Sequence, residues 1–196
     1  MSRPLTELTD EELIAGFQEG DEKAFTELVH RFKDPLMNFV FRYVGDWDEC
    51  YDIVQDTFVR MYRSKHSYKP IAKLSTWVYT IAVNLCKTYL RRRKLRRVFG
   101  LDSTQREYQS APAFDPPDEH QHADRLAESS VLEERIQQAL ESLDAKYREV
   151  IILRDIQDLP YDEIAVMTGL NIGTVKSRIN RGRTFLQEKL KDLMSD

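Results

Sequence analysis

The chain reads as all-α, two small helical domains joined by a flexible acidic linker, and three observations carry that reading. Apolar residues recur at three- and four-residue steps through both ends of the chain, as amphipathic helices require. Strand-like alternation is hard to find, and the seven glycines and seven prolines are sparse and clustered. Between the two helical stretches lies an acidic segment with no apolar period, containing Ala111-Pro112-Ala113 and Asp115-Pro116-Pro117-Asp118. Such a segment cannot bury enough surface to offset the entropy of ordering. The boundaries expected are 1–97, 98–129 for the linker, and 130–196.

Each element has its own signal. Thr9-Asp10-Glu11-Glu12 is a capping box that opens a short helix through Phe17, stopping near Gly20. From Asp21 the positions Phe25, Leu28, Phe32, Leu36, Phe39, Val40 and Tyr43 keep helical spacing, with a kink or break expected at Pro35. Asp46-Trp47-Asp48 caps a third helix carrying Ile53, Val54, Phe58 and Tyr62. A fourth runs from about Ser75, with Trp77, Val78, Ile81, Leu85 and Tyr89 on one side, and the four close into a bundle. After the linker, helices carry Val131, Ile136, Leu140 and Leu143, then Tyr147, Val150, Ile151 and Leu153, then Tyr161 to Thr168, then Ile172 to about Leu193.

Composition narrows the function. Hydrophobic residues make up 41% of the 196, enough for real cores, and the net charge is only -4. That total hides two acid-free stretches. Lys87 to Arg97 includes Arg91, Arg92, Arg93 and Lys94, and Ile164 to Gln187 carries Lys176, Arg178, Arg181 and Arg183. Local cationic faces are what phosphates meet, while overall acidity predicts weak DNA binding by the protein alone at physiological salt. Cys50 and Cys86 lack metal or redox spacing and read as ordinary thiols of a reducing compartment. His120 and His122 have no third ligand, so neither a metal nor a cofactor is expected. Neither a signal peptide nor an apolar run near the ~20 residues that span a bilayer is found, which points to a soluble cytoplasmic protein.

The strongest local signal runs from Pro160 to Arg178 and reads as a helix-turn-helix. Pro160 suits a helix start. Ala165 is small where two helices cross, Gly169 can take a left-handed turn, and Asn171 is a good N-cap. Ile164, Leu170, Val175 and Ile179 can face the core. Thr174, Lys176, Ser177, Arg178, Asn180, Arg181 and Arg183 are left on or near an outer face that suits a DNA major groove.

A second constellation, Thr76 to Lys94, sets Trp77 and Tyr79 ahead of a polar face with Thr80, Asn84, Lys87 and Thr88, ending at Arg91 to Lys94. Rings beside cations suit single-stranded DNA, where bases stack and cations hold phosphate. Spacing alone leaves open the plainer alternative, with Trp77 and Tyr89 in the core and the arginines complementing a helix C-terminus.

These residues resemble a known family. Thr76 to Lys94 closely resembles the TWLYRIARN…YLRRRKR signature in region 2 of the extracytoplasmic-function sigma factors of bacterial RNA polymerase. Asp52-Ile53-Val54-Gln55-Asp56-Thr57-Phe58 resembles the preceding helix of that region, and Asp10 to Phe25 its usual start. Gly173-Thr174-Val175-Lys176-Ser177-Arg178 resembles the core of region 4. The resemblance implies a sigma factor that directs core polymerase to promoters and assists melting of the -10 element, without enzymatic activity. It implies that Asp52, Gln55 and Asp56 meet the β′ clamp helices and that region 4 meets the β flap. The loop Ser67 to Leu74, with Tyr68 and Lys69, would capture an unpaired -10 base together with Asn84; Trp77, Tyr79, Lys87 and Arg91 complete that DNA surface. Thr174, Lys176, Ser177, Arg178, Asn180, Arg181 and Arg183 would read the -35 element. An anti-sigma factor is implied as a further partner. The loop Tyr68-Lys69-Pro70-Ile71-Ala72-Lys73-Leu74 departs from the family's glycine-containing pattern, which bears on the base it captures.

Two other readings compete. A regulator with a C-terminal helix-turn-helix explains 131–196 but leaves Trp77 to Lys94 as coincidence. A hydrolase using Cys86 or the Asp52/Asp56 pair lacks a nearby histidine or a phosphate-binding loop.

Overall fold

The structure, a computed structural model, describes residues 3–99 and 123–194, and among these residues eight α-helices carry the fold. They are α1 Asp10–Gln18, α2 Glu22–Val44, α3 Trp47–Arg63, α4 Leu74–Val98, α5 Ala123–Ser142, α6 Ala145–Ile151, α7 Tyr161–Thr168 and α8 Ile172–Met194. Short 3-10 turns span Leu5–Glu7 and Lys65–Ser67, and Ile152–Ile156 continues α6 as a π-helical turn. No strand occurs among the described residues.

Local chemistry sets most boundaries. Thr9 and Glu12 form both halves of the expected capping box: the Thr9 hydroxyl accepts from Glu12 N and the Glu12 carboxylate from Thr9 N. That bond, with further help from Arg3, holds the Glu12 carboxyl below its ordinary pKa. Asp21 caps α2 and Asp46 caps α3 through their carboxylates. Gly45 ends α2 at φ 74°, a left-handed conformation that glycine takes without strain.

Helix α2 has no break where a kink or break is expected. It passes unbroken through Pro35, which is exposed, so its ring points to solvent. Phe32, Leu36, Phe39 and Val40 are buried on either side, and their burial offsets the roughly 3 kcal/mol that an interior proline costs. A second correction concerns the linker, expected to reach residue 129: α5 begins at Ala123. The rest of that acidic segment, with His120 and His122, lies outside the described residues.

The first four helices bury Leu13, Phe17, Leu28, Leu36, Phe39, Cys50, Val54, Met61, Val78, Val83 and Cys86, and Phe17, Phe25 and Tyr62 form an aromatic cluster. The last four, with the π-helical turn, bury Leu140, Val150, Ile152, Leu153, Ile164, Val175 and Ile179. The two groups also meet. Helix α5 packs on α2 and α7 on α4. Gln137 donates its amide to Phe41 O at 3.3 Å, and Arg148 donates to Tyr43 O at 3.2 Å. Arg148 also donates to Glu141 O and Leu143 O, satisfying carbonyls that the end of α5 leaves open.

Candidate nucleic-acid interface

The pair α7 and α8 has the expected turn. Gly169 sits at φ 69°, Leu170 N–H returns to Ala165 O, and the Asn171 side chain accepts from Thr174 N at 2.7 Å. Ile164, Val175 and Ile179 have no exposed surface, which locks the inner side of both helices. Leu170 is half-buried, and Pro160 sits one residue ahead of α7. Farther along, Gly182 lies where a Cβ would come within 2.8 Å of Ile151 Cγ1, so α8 approaches α6 closely.

With the inner side fixed, α8 presents Lys176, Ser177, Asn180, Arg181 and Arg183 as exposed residues, while Thr174 and Arg178 are half-buried. Lys176 lies over the Tyr161 ring, 5.7 Å from its centroid, and Arg154 approaches the same ring at 5.2 Å. Arg183 is already engaged: its guanidinium donates to both oxygens of Asp155, and this carboxylate raises its pKa. Arg183 therefore ties α8 to the π-helical turn in addition to being cationic.

Helix α4 places Trp77, Thr80, Asn84, Lys87 and Arg91 at three- and four-residue steps, along one stripe. Asn84 and Arg91 are exposed, Trp77 and Lys87 half-buried. Trp77 packs against Tyr68, ring centroids 5.6 Å apart. Two expected contact residues lie elsewhere. Tyr79 is in the core, edge-on to Phe39 at 5.1 Å, and burial pushes its phenol up to about 12. Its ring faces the opposite side of α4 from the polar stripe, as a two-residue step from Trp77 on a 3.6-residue turn dictates. Tyr68 is also buried, its hydroxyl donating to Ala72 O at 2.9 Å. Lys69 and its neighbours through Lys73 are exposed, Ile71 by 89%.

Lys87 carries a contact that sequence reading missed. Its ammonium lies 2.6 Å from Glu149 Oε1, on α6. Glu163 of α7 likewise accepts from the Thr76 hydroxyl at 2.7 Å and pairs with Lys73 at 3.3 Å. Tyr43 is buried beside Glu149, and its phenol is pushed well up, by burial first and by that carboxylate next. No local spacing signals these pairs, since each joins residues more than sixty positions apart.

On α3, Asp52, Gln55 and Asp56 are exposed, with Tyr51, Val59 and Tyr62 exposed on the same helix. Among the described residues no group of three or more His, Cys, Asp or Glu side chains could hold a metal, and no helix is long and apolar enough to cross a membrane.

Comparison with known proteins agrees with this geometry. Residues 28–96 match the family model for sigma-70 region 2, and residues 133–186 match that for sigma-70, region 4. The ECF RNA polymerase sigma-E factors of Salmonella typhimurium and Escherichia coli are each 35% identical over 188 residues, 96% of this chain and 97% of theirs. Among solved structures, CnrH in complex with the cytosolic domain of CnrY superposes with a TM-score of 0.66 at 27% identity, over 93% of this chain and 97% of CnrH. The sigma factor RpoE in complex with the anti-sigma factor NepR, from Bartonella quintana, gives 0.64 at 30% identity, over 86% of this chain and 98% of RpoE.

Proposed function

The chain belongs to the sigma-70 family, among its extracytoplasmic-function sigma factors, and we propose that its two helical units divide promoter recognition between them. As a sigma factor it confers promoter specificity on bacterial RNA polymerase at transcription initiation. The unit carried by α1 to α4 binds core polymerase and the -10 element, the unit carried by α5 to α8 binds the -35 element, and the residues between α4 and α5 tether them. The observation that carries it is the state of α8: its apolar side is locked in the core while Lys176, Ser177, Asn180 and Arg181 stand outward, with no acid in the surrounding stretch.

In the -35 step, α8 enters the major groove. Lys176, Arg181 and Arg183 supply charge for phosphate, and Thr174, Ser177, Arg178 and Asn180 meet base edges. In the -10 step, Lys69, Asn84, Lys87 and Arg91 hold unpaired strand, and Trp77 stacks where the duplex opens. Tyr68 and Tyr79 act from within, by supporting the loop and α4. Unpairing costs a few kcal/mol per base, and a wrong base leaves polar groups unsatisfied. Asp52, Gln55 and Asp56 dock on the β′ clamp helices, and the second unit on the β flap. Mounting both units on one rigid body raises the effective concentration of each at its DNA site. No bond is made or broken by this chain, which works in the cytoplasm with the polymerase. The solved RpoE is bound by an anti-sigma factor, and a regulator of that kind is the further partner proposed here.

Arg178→Ala tests the assignment of α8. Promoter binding by the holoenzyme should weaken by about tenfold, the loss of one good base contact, with core binding intact. Unchanged transcription from the cognate promoter would remove α8 from the -35 role.

A further inference from the structure

The segment between α3 and α4 is held at both ends by α1. Near the end of that helix, Gln18 donates its side-chain amide to Lys65 O at 2.7 Å and to Tyr68 O at 3.2 Å. Lys65 in turn donates to Phe17 O at 2.8 Å and lies over the Phe17 ring, 4.1 Å from its centroid. At the other end, Glu11 Oε1 accepts from Leu74 N at 3.1 Å. Lys73, the residue ahead of α4, has no side-chain oxygen with which to cap it, so the carboxylate of Glu11 does so from α1. Glu12, its neighbour, is committed to Thr9, so the two adjacent acids have separate tasks.

Between these anchors the loop is exposed from Lys69 to Lys73. Its tip contains no glycine, and Pro70 fixes one φ. Its two ends are the points where Gln18 and Glu11 act. From the first of these ends, the buried Tyr68 closes the loop on itself through its hydroxyl and Ala72 O.

We infer that Glu11 and Gln18 are positioning residues for base selection, holding the exposed Lys69–Lys73 tip in one conformation before it meets unpaired -10 DNA. The inference rests on the -10 role proposed above for this loop. Its physical basis is that a mismatched base is penalised only if the groups facing it cannot move to follow it. A loop released at either end would adapt to several bases and lose discrimination while still binding strand through its lysines.

The test uses holoenzyme reconstituted with the full chain, on a promoter identified by run-off transcription and on its single-base -10 variants. The readout is the ratio of transcription from the cognate promoter to that from the variants. Glu11→Leu and Gln18→Leu should each lower this ratio by about tenfold, the weight of one lost hydrogen bond at a preset site. Glu11→Gln, which keeps an acceptor oxygen, should retain the wild-type ratio. A merely structural role would lower transcription from all templates alike and leave the ratio unchanged, and that result in both leucine variants would overturn the inference. Lys69→Ala and Ile71→Ala separate the two levels of the argument. If the tip variants alter base preference and the leucine variants do not, the positioning role is wrong and the loop's role stands. If the tip variants change nothing, the -10 role of the loop is wrong, and the positioning role with it.

Discussion

Lys87 Nζ on α4 lies 2.6 Å from Glu149 Oε1 on α6, joining the two halves of the chain at a side chain proposed to hold DNA. Lys87 is about two-fifths exposed and Glu149 is nearly fully buried, so the pair sits at the edge of the contact between the halves. A phosphate that engages Lys87 competes with this carboxylate for its charge.

Glu149→Gln should therefore tighten binding of the full chain to a single-stranded oligonucleotide bearing the -10 sequence, by about twofold to fivefold, as expected for releasing one partly exposed cation. Fluorescence anisotropy at fixed salt measures it. Equal affinities for the two proteins would mean that the pair does not compete with DNA.

Asn84 is exposed on the same stripe and has no part in the core. Asn84→Ala should leave the melting temperature and -35 duplex binding unchanged while slowing open-complex formation. Permanganate footprinting of unpaired thymines reads this directly, and wild-type reactivity would take Asn84 out of the melting step.

Gly182→Ala should destabilise the second unit, although alanine is usually favoured over glycine inside a helix by about 1 kcal/mol. The added Cβ would come within 2.8 Å of Ile151 Cγ1, and Ile151 is itself almost fully buried. Overpacking of this kind costs about 1–3 kcal/mol, more than the helix preference returns. Thermal unfolding settles the sign.

Cys50 and Cys86 are fully buried, and burial pushes both thiols well above the ordinary range. Their thiolates are scarce at pH 8, so neither should react with iodoacetamide until the protein is unfolded. Because the folded values exceed the unfolded ones, the stability tied to the neutral thiols is complete below the unfolded value of about 8.5 and is lost as the pH climbs above it. Denaturant midpoints between pH 7 and 10 should fall in that direction, and a flat profile would show that the thiols do not titrate on unfolding.

What was legible in the sequence is what short-range chemistry decides. Thr9, Asp46 and Asn171 cap the helices they precede, and Gly169 turns between α7 and α8, because an N-cap or a left-handed residue acts on neighbours within four positions. The family motifs likewise pointed to Asn84, Arg91, Lys176, Ser177, Asn180 and Arg181, all of which the structure leaves exposed. What escaped depends on tertiary packing. Pro35 stays helical because buried neighbours outweigh its cost, a balance that local propensity does not contain. Tyr79 turns to the core because the bundle needs a ring against Phe39. Glu11, Gln18, Glu149 and Glu163 read as ordinary surface residues of helices until distant elements are brought against them.

The most direct measurement is run-off transcription by purified core RNA polymerase on a genomic promoter library, with and without this protein. The account predicts new, specific start sites that share -35 and -10 sequences at a fixed spacing. An absence of stimulation, together with no binding to core polymerase, would contradict it.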